Sequence, residues 1–397
     1  MEWKFPEKFL FGAALSDYQH FGNSECDLPK LRTADHFSLY LYDIELIHEL
    51  NYSALRTSVE WARIETKENE INQSMLNWYE KYFETLKNYK IKTLATLHHF
   101  TNPNWYTTGG GWISEKNIKK FLKYVDIVSE KLAGYIDYYI IINEPLAYAS
   151  MAFLNKVLPP YTIDPIKFRK CYKNLAKAIK QSYEIIKQND KSVKVGFAHA
   201  ISPLVPKNRK NPLEIIFCKY SNNIILNFLE SLMNNIDFIG INYYSEFVFD
   251  IWKRRILKAV VNPEYLSKFC IELYKKYRKP LLITENGFSS RNQFYKTNYL
   301  VRHLEKISET IERGVEIEGY IWWSFLHGYE WNSQNNPSMG YKPNFGLIDV
   351  DMNTLERKVT KTAKIFSVIA SKRKIDIEIH EKYGSIINYE FEDWPLS

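Results

Sequence analysis

The sequence predicts a single-domain α/β protein, a (β/α)8 TIM barrel, and three observations support this fold class. Eight short segments rich in apolar and β-branched residues lie at regular intervals along the chain. Longer segments with helical periodicity separate them, and this alternation favours a parallel sheet flanked by helices. The chain has 397 residues, which is enough for eight such units, and eight units can close into a barrel.

The eight predicted strands have the sequences FLFGAA, YSALRTS, TLATLH, YYIII, VKVGFA, FIGIN, LLIT and IEGYIWWS. Each has the length and composition typical of a buried strand. They begin, in order, at Phe9, Tyr52, Thr93, Tyr138, Val193, Phe238, Leu281 and Ile317. The amphipathic helices predicted between them extend from Met75 to Tyr89, Asn117 to Leu132, Pro165 to Lys187, Leu213 to Met233, Pro263 to Tyr277 and Thr297 to Arg313.

A doubly wound open sheet is the alternative arrangement of such βα units. It would be expected to have a glycine-rich fingerprint directly after an early strand. The glycine run Gly109-Gly110-Gly111 instead precedes Trp112 in a predicted loop, without the Lys-Ser/Thr of a phosphate-binding loop. The closed barrel is therefore the preferred prediction.

The whole chain, residues 1–397, is predicted to be one domain, because no repeat and no linker rich in Pro, Gly or Ser divides it. The pattern changes after Lys372, where Ile375, Ile377 and Ile379 alternate with polar residues. This alternation predicts a strand. Residues 373–397 are expected to form a C-terminal tail that packs on the barrel or on a neighbouring subunit.

The composition is that of an ordinary globular protein, with 45% hydrophobic and 25% charged residues. The net charge of +7 is mild for this length, and Lys and Arg are interspersed with acids, so no nucleic-acid partner is expected. The basic run Trp252-Lys253-Arg254-Arg255 is interpreted as a solvated loop or helix face.

Cysteine usage and the N-terminus favour a cytoplasmic protein. Cys26, Cys171, Cys218 and Cys270 are scattered without metal-ligand spacing, which is typical of reduced, structural thiols. Charged residues occupy the N-terminus, where a signal peptide requires an apolar stretch. No apolar run approaches the ~18 residues of a membrane span, so no membrane partner is expected.

Two glutamates at strand ends are the strongest indication of function. Glu144 follows the apolar run of the fourth predicted strand, and Glu285 follows that of the seventh. The carboxyl ends of barrel strands meet at one mouth, where catalytic groups lie. A pair of carboxyl groups facing each other there is what glycoside hydrolysis requires.

Other polar and aromatic residues share these strand ends. They are Arg56, His98-His99, Asn242-Tyr243-Tyr244 and Trp322-Trp323. Taken singly, each is more often structural than functional, and most of the aromatic residues, 16% of the chain, must belong to the core. Their joint placement at one end of the predicted barrel favours an active site.

Nearly the whole chain resembles glycoside hydrolase family 1, the β-glucosidase and β-galactosidase family, and especially its archaeal-type members. The similar motifs are FLFGAALSDYQH, LRTSVEWARI, TLHHFTNPNW, INEP, FIGINYYS, ITENG, IWWSFLHGYEW and NFGLIDVD. The resemblance implies a (β/α)8 barrel and a retaining exo-β-glycosidase. Such an enzyme hydrolyses terminal β-D-glucosides, and also β-galactosides or β-fucosides, without a metal or organic cofactor.

The resemblance also implies the roles of individual residues. Glu285 matches the nucleophile and Glu144 the acid/base, while Arg56 and Tyr244 match positions beside the nucleophile. The positions that match substrate-binding residues are Gln19, His99, Asn143, Trp323, Glu330 and Trp331, with Trp323 as the aromatic floor under the sugar. Glu330 accepts hydrogen bonds from sugar hydroxyls in this scheme and repels a 6-phosphate.

The chain departs from the family pattern in its motifs and in its loop lengths, and Phe100, where many members have Trp, is a conservative aromatic replacement. His327-Gly328 stands where Asp-Asn is common, which leaves the glycone preference open. The connections after Glu144 and between Tyr244 and Glu285 are short for the family, which predicts an open aglycone side. A transglycosidase with the same residues and a catalytically weak carbohydrate-binding relative are the alternatives. The expected partner is a small-molecule β-glycoside or oligosaccharide, and a homo-oligomer is compatible with the tail.

Overall fold

The structure is a computed structural model that describes residues 2–330 and 344–387. Within it, eight parallel strands close into a barrel in which each strand pairs with its sequence neighbours and the last pairs with the first. The barrel strands are β1 Leu10–Ala14, β2 Ala54–Ser58, β3 Lys92–Thr96, β4 Tyr138–Asn143, β5 Lys194–Ile201, β6 Phe238–Tyr243, β7 Leu281–Asn286 and β8 Ile317–Trp323. The predicted fold class is confirmed, and every predicted strand start lies within two residues of the observed one.

The strands are buried on both faces, which explains why their sequences are continuous apolar runs rather than alternating ones. Every residue of β6 and β7 is buried. Large aliphatic side chains from different strands, among them Leu94, Ile140 and Ile321, fill the barrel interior together with smaller residues. The interior is therefore a packed core that supports the mouth from below.

Among the described residues, eight principal helices surround the barrel, one after each strand. They are α1 His36–Glu49, α2 Gln73–Asn88, α3 Ile118–Lys131, α4 Pro165–Asn189, α5 Pro212–Glu230, α6 Pro263–Tyr277, α7 Gln293–Glu312 and α8 Lys361–Lys372. The side chains of Asp164, Asn211 and Asn262 cap three of them by accepting backbone hydrogen bonds, and proline follows each cap. The six predicted helices are confirmed, whereas α1 and α8 were not predicted.

Shorter elements lie in the loops. The helices are Trp61–Ile64, Asn104–Thr108, Pro145–Phe153 and Ile377–Tyr383, with a π-helical turn at Asp17–Phe21 and 3-10 turns at Gly111–Ile113, Glu115–Asn117 and Met233–Asn235. A three-stranded sheet consists of Leu204–Pro206, Glu246–Asp250 and Arg255–Val260, and strand pairs join Ile348–Val350 to Arg357–Val359 and Trp3–Lys4 to Lys374–Ile375. Among the described helices, none combines the length and hydropathy that a membrane span requires.

The strand predicted in the C-terminal tail is wrong beyond Ile375, because Ile377–Tyr383 is a helix. This helix lies against α7, where His380 Nδ1 is within hydrogen-bond distance of Glu305 Oε1, at 2.7 Å. His380 also packs on Trp3 with 4.3 Å between ring centroids. Three alternating isoleucines are too short a pattern to outweigh these tertiary contacts. Residues 388–397 of the predicted tail lie outside the described residues.

Candidate active site

Glu144 and Glu285 both lie at the mouth of the barrel, as predicted. Glu285 belongs to β7 and pairs in register with Asn242 of β6. Glu144 directly follows β4 and adopts a left-handed backbone conformation, with φ 45° and ψ 60°, before the helix Pro145–Phe153. Its backbone N–H donates to the carbonyl of Ala198 in β5 at 2.8 Å, which fixes this turn against the neighbouring strand.

Glu285 is buried with a cation and a hydroxyl donor. An Nη1 hydrogen of Arg56 is donated to its Oε1, and the hydroxyl of Tyr244 donates to its Oε2 at 2.6 Å. Only 4% of Glu285 is exposed, so solvent screens these contacts little. A guanidinium and a phenol that both donate to one carboxyl group stabilise its negative charge.

Arg56, in β2, connects several strands at the base of the site. Besides Glu285, its guanidinium donates to the carbonyl of Thr284 at 3.1 Å and to Asn143 Oδ1 at 2.7 Å. Its Nε donates to Thr96 Oγ1 at 3.2 Å. Only 1% of this side chain is exposed, and its fixed fork holds β3, β4 and β7 in one arrangement.

Glu144 has a different environment. Asn242 Nδ2 donates to its Oε1 at 2.7 Å, and no guanidinium contact is recorded for it within the described residues. Burial and then the nearby charge of Glu285 raise the pKa of Glu144 to about 8, against the opposing effect of the Asn242 hydrogen bond. Glu144 is therefore protonated at neutral pH, in contrast to the environment of Glu285, which receives hydrogen bonds from a guanidinium and a phenol.

Asn242 was not among the predicted site residues, although it lies in the strand-end segment that the sequence analysis noted. It links the two halves of the site, because its Nδ2 also approaches Asn143 Oδ1 at 3.1 Å. Its own Oδ1 accepts from Thr284 Oγ1 at 2.7 Å. The motif FIGINYYS contains this residue two positions before Tyr244, which is the signal that could have identified it.

A second group of predicted residues lies beside the first. Trp323, at the end of β8, stacks with His99 at 5.6 Å between ring centroids and an interplanar angle of 23°. Its Nε1 donates to Glu330 Oε1 at 3.2 Å. Asn143 Nδ2 lies 3.4 Å from His99 Nε2, so this group adjoins the Arg56 network. Predicted residue Trp331 lies outside the described residues.

The ionisable groups beside Trp323 are shifted toward their neutral forms. Burial raises the pKa of Glu330 to about 8, and the charge of Glu285 adds to this effect against the Trp323 hydrogen bond. Burial, aided by the Arg56 charge, lowers the pKa of His99 well below its usual range. An uncharged surface of this kind, with hydrogen-bonding groups beside an aromatic face, suits a polar but neutral ligand.

Comparisons with known proteins match this architecture. The sequence model of glycosyl hydrolase family 1 matches residues 28–230 and 249–375, which is most of the chain. The chain belongs to glycosyl hydrolase family 1. Its structure resembles that of a beta-glycosidase from Pyrococcus horikoshii, with a TM-score of 0.89 and 31% sequence identity, covering 97% of this chain and 99% of that one.

Two curated plant relatives are longer than this family 1 chain. Beta-glucosidase-like SFR2, chloroplastic, from Oryza sativa subsp. japonica is 27% identical, over 84% of this chain and 55% of that protein. Galactolipid galactosyltransferase SFR2, chloroplastic, from Arabidopsis thaliana is 26% identical, over 84% of this chain and 57% of that protein. The chain thus spans little more than half the length of these two relatives.

Gln19 of this family 1 protein contacts the loop that follows β8. It lies in the π-helical turn Asp17–Phe21, where its Nε2 donates to the carbonyl of Tyr329 at 2.6 Å. Its Oε1 accepts from Ser16 Oγ at 2.6 Å, and the residue is fully buried. Gln19 therefore braces the segment that presents Glu330, and its predicted contact with sugar stays a prediction.

The departure from the family pattern at His327-Gly328 has a steric cause. A Cβ at Gly328 would lie 2.5 Å from Nε2 of His20, well inside van der Waals contact. His20 is buried, with its ring edge against Trp323 at 5.7 Å between centroids. The imidazole thus occupies space that an asparagine at position 328 would need. Burial lowers the pKa of His327 to about 4, so that residue is neutral in the fold.

Proposed function

We propose that this chain is a retaining exo-β-glycosidase that hydrolyses terminal non-reducing β-D-glucosides, and also β-galactosides and β-fucosides. The proposal rests on the contrast between the surroundings of the two glutamates. Arg56 and Tyr244 donate to Glu285, whereas burial and a neighbouring charge raise the pKa of Glu144 to about 8. Double displacement requires this combination of a charged nucleophile and a protonated acid.

In the first step, a carboxylate oxygen of Glu285 attacks the anomeric carbon of the terminal sugar. The glycosidic C–O bond breaks, the leaving oxygen takes the proton of Glu144, and a glycosyl ester forms on Glu285. The loss of that proton becomes easier as the ester forms, because the negative charge of Glu285 is neutralised. The same two residues thereby exchange their electrostatic roles.

In the second step, Glu144 is a carboxylate and removes a proton from water. The resulting hydroxide attacks the anomeric carbon, the ester bond breaks, and Glu285 recovers its charge. Two inversions at the anomeric carbon retain its configuration. Tyr244 and Arg56 stabilise the departing carboxylate in this step.

The sugar is proposed to lie between Trp323 and the two glutamates. Its apolar face packs on the indole of Trp323, and Glu330, His99, Gln19 and Trp331 contact its hydroxyls. Asn143 contacts the 2-hydroxyl, next to the reacting carbon, where a hydrogen bond strengthens in the transition state. A carboxyl group at Glu330, which accepts hydrogen bonds from the sugar hydroxyls, disfavours a 6-phosphate, so a neutral glycone is preferred.

The test is hydrolysis of a nitrophenyl panel: β-glucoside, β-galactoside, β-mannoside, β-fucoside and 6-phospho-β-glucoside. The neutral glucoside is expected to be cleaved, with the β-anomer of glucose as the first product by NMR. Glu285→Gln should abolish turnover, while Glu144→Gln should retain more activity on nitrophenyl glycosides than on alkyl glycosides, because nitrophenolate leaves without protonation. An initial α-anomer would contradict a retaining mechanism, and no turnover by folded protein would favour a carbohydrate-binding relative.

A transglycosidase is the second candidate, because the Arabidopsis thaliana relative is a galactolipid galactosyltransferase. The first step would be unchanged. An acceptor sugar hydroxyl would replace water in the second step and give its proton to Glu144. Product analysis at increasing acceptor concentration separates the two, since a hydrolase releases free sugar even when acceptor is abundant.

A further inference from the structure

An apolar stripe on α5 faces solvent. Leu213, Ile216, Phe217 and Tyr220 follow the i, i+3, i+4, i+7 spacing of a single helix face. Their exposed fractions are 54%, 64%, 39% and 67%. A helix normally turns such a stripe toward the core, so a stripe that remains exposed indicates an interaction surface.

The turn between two outer strands extends this stripe. Trp252 is 76% exposed and lies in the turn that joins Glu246–Asp250 to Arg255–Val260. Glu214 of α5 ties the two together, because its Oε1 accepts from the backbone N–H of Ile251 at 3.3 Å. We call the surface formed by residues 204–220 and 250–258 the α5 face.

The α5 face is strongly basic. Its sequence contains eight Lys or Arg residues and two acids, Glu214 and Asp250. Both acids are buried and accept hydrogen bonds from backbone N–H groups. Asp250 Oδ2 also pairs with Lys207 Nζ at 2.8 Å, so one of the eight cations is compensated within the face. The whole chain has a net charge of +7, and this face accounts for nearly all of it.

The α5 face lies on the mouth side of the barrel. The outer strands follow the carboxyl end of β6, and the apolar stripe occupies the first turns of α5, the end at which a barrel helix begins near the mouth. The connection between β4 and α4, on the same side, exposes Tyr161 and Ile163 by 43% and 65%. Contact through this face would bring the mouth close to the surface it binds.

From these observations we propose that the α5 face docks this protein peripherally on an anionic lipid surface. Exposed Trp, Tyr, Leu and Ile side chains beside Lys and Arg are the combination that inserts at a lipid headgroup boundary. A second copy is disfavoured, because a two-fold contact would place the same cations against each other. Nucleic acid is disfavoured, because phosphates gain nothing from exposed Leu213 and Ile216. The expectation of no membrane partner considered spanning segments, and peripheral docking needs none.

The first experiment is co-sedimentation of the full chain with phosphatidylcholine vesicles, with and without phosphatidylglycerol. Binding is expected only with phosphatidylglycerol and is expected to weaken as salt is raised. The double variant Arg254→Gln/Arg255→Gln should bind roughly thirtyfold more weakly, since each cation near such a surface contributes about a factor of five. The control is Lys81→Gln/Lys191→Gln, which removes two exposed cations elsewhere and should bind like wild type.

The apolar stripe is tested in the same assay. Leu213→Ser/Ile216→Ser should weaken binding roughly tenfold, because two half-inserted aliphatic side chains are lost. Leu41→Ser/Ile377→Ser is the control, because those side chains are similarly exposed, by 57% and 53%, but lie elsewhere. Turnover of a soluble glycoside should be unchanged in all four variants, so vesicle binding is measured independently of the catalytic proposal.

Three results would overturn the proposal. The first is a lack of binding to phosphatidylglycerol vesicles, and the second is binding that survives both α5-face variants. The third is a better fit to another partner: tighter binding to duplex DNA or RNA than to vesicles, or a concentration-dependent dimer that the Leu213→Ser/Ile216→Ser variant abolishes. Loss of binding in the α5-face variants alone, with both controls intact, supports the proposal.

Discussion

Asn242 offers a direct test of how the acidity of Glu144 is set. Its Nδ2 donates to Glu144 Oε1 at 2.7 Å and opposes the burial that raises the pKa of Glu144 to about 8. We expect Asn242→Ala to raise this pKa further, because the carboxylate form loses a donor. A hydrogen bond to a charged group contributes about 1.5–3 kcal/mol, and one pKa unit corresponds to about 1.36 kcal/mol. Since the protonated form also loses part of that bond, the expected shift is about one unit.

The assay is the pH dependence of kcat/KM with phenyl β-glucoside, whose leaving group needs the proton of Glu144. Activity falls as pH rises through the pKa of the acid, so the alkaline limb of wild type is expected near pH 8. In Asn242→Ala the limb should move to higher pH by about one unit, although the maximal rate falls. The direction of the limb, and not the rate, is the diagnostic result.

Thr284→Val is the matched control for this experiment. Thr284 Oγ1 donates to Asn242 Oδ1 at 2.7 Å, so its loss disturbs Asn242 without removing the donor to Glu144. The alkaline limb of this variant should stay at the wild-type position. If the limb of Asn242→Ala stayed unchanged or moved to lower pH while Thr284→Val resembled wild type, the electrostatic account of Glu144 would be refuted.

Three further predictions follow from other contacts of the site. Tyr244→Phe removes the hydroxyl that donates to Glu285 at 2.6 Å. Its loss should raise the activation barrier by about 1.5–3 kcal/mol and so lower kcat/KM, measured in steady-state assays, roughly tenfold to a hundredfold. An unchanged kcat/KM would contradict a role for this hydrogen bond. Arg56→Met should lower kcat/KM further, because it removes the buried cation that donates to Asn143 and Glu285. Circular dichroism and kcat at several pH values distinguish unfolding from lost catalysis. Gly328→Asn should destabilise the fold by about 1–3 kcal/mol in thermal unfolding, because its Cβ would lie 2.5 Å from His20 Nε2, and His20→Ala in the same chain should recover part of the loss. Equal melting temperatures for Gly328→Asn and wild type would show that His20 can move aside.

The barrel could be predicted from the sequence because its strands are buried on both sides. Strands such as β4 and β7 consist of continuous apolar and β-branched residues, a pattern that can be recognised without knowing how the side chains pack. The helix α1 was not predicted, since its sequence HFSLYLYDIELIHE includes many aromatic and β-branched residues that are not strong helix formers. Its helical state is supported by tertiary contacts, such as the hydrogen bond from Arg357 Nε to Asp43 Oδ1 at 3.0 Å.

The candidate site was also only partly predictable from the sequence. Glu144 and Glu285 could be identified because each ends a strand, and the barrel topology then places both at one mouth. The part played by Asn242 could not, because it depends on which side chains meet across the mouth from β4 and β6, two strands that are not hydrogen-bonded to each other. The close approach of Gly328 to His20 likewise joins residues far apart in sequence, and a loop glycine gives no sequence signal for the residue that packs against it.

The charge balance of the mouth explains why the two glutamates differ. Glu285 is buried and Arg56 donates to it, whereas Glu144 and Glu330 are half-buried beside it. Burial and the charge of Glu285 raise the pKa of Glu144 to about 8, and the same two effects raise the pKa of Glu330 to about 8. The position of Arg56 in β2 therefore determines which of the two glutamates receives a cationic donor. Two carboxyl groups of identical chemical type, proposed as acid and nucleophile, thus differ in the hydrogen-bond donors around them, and the placement of one guanidinium is a large part of that difference.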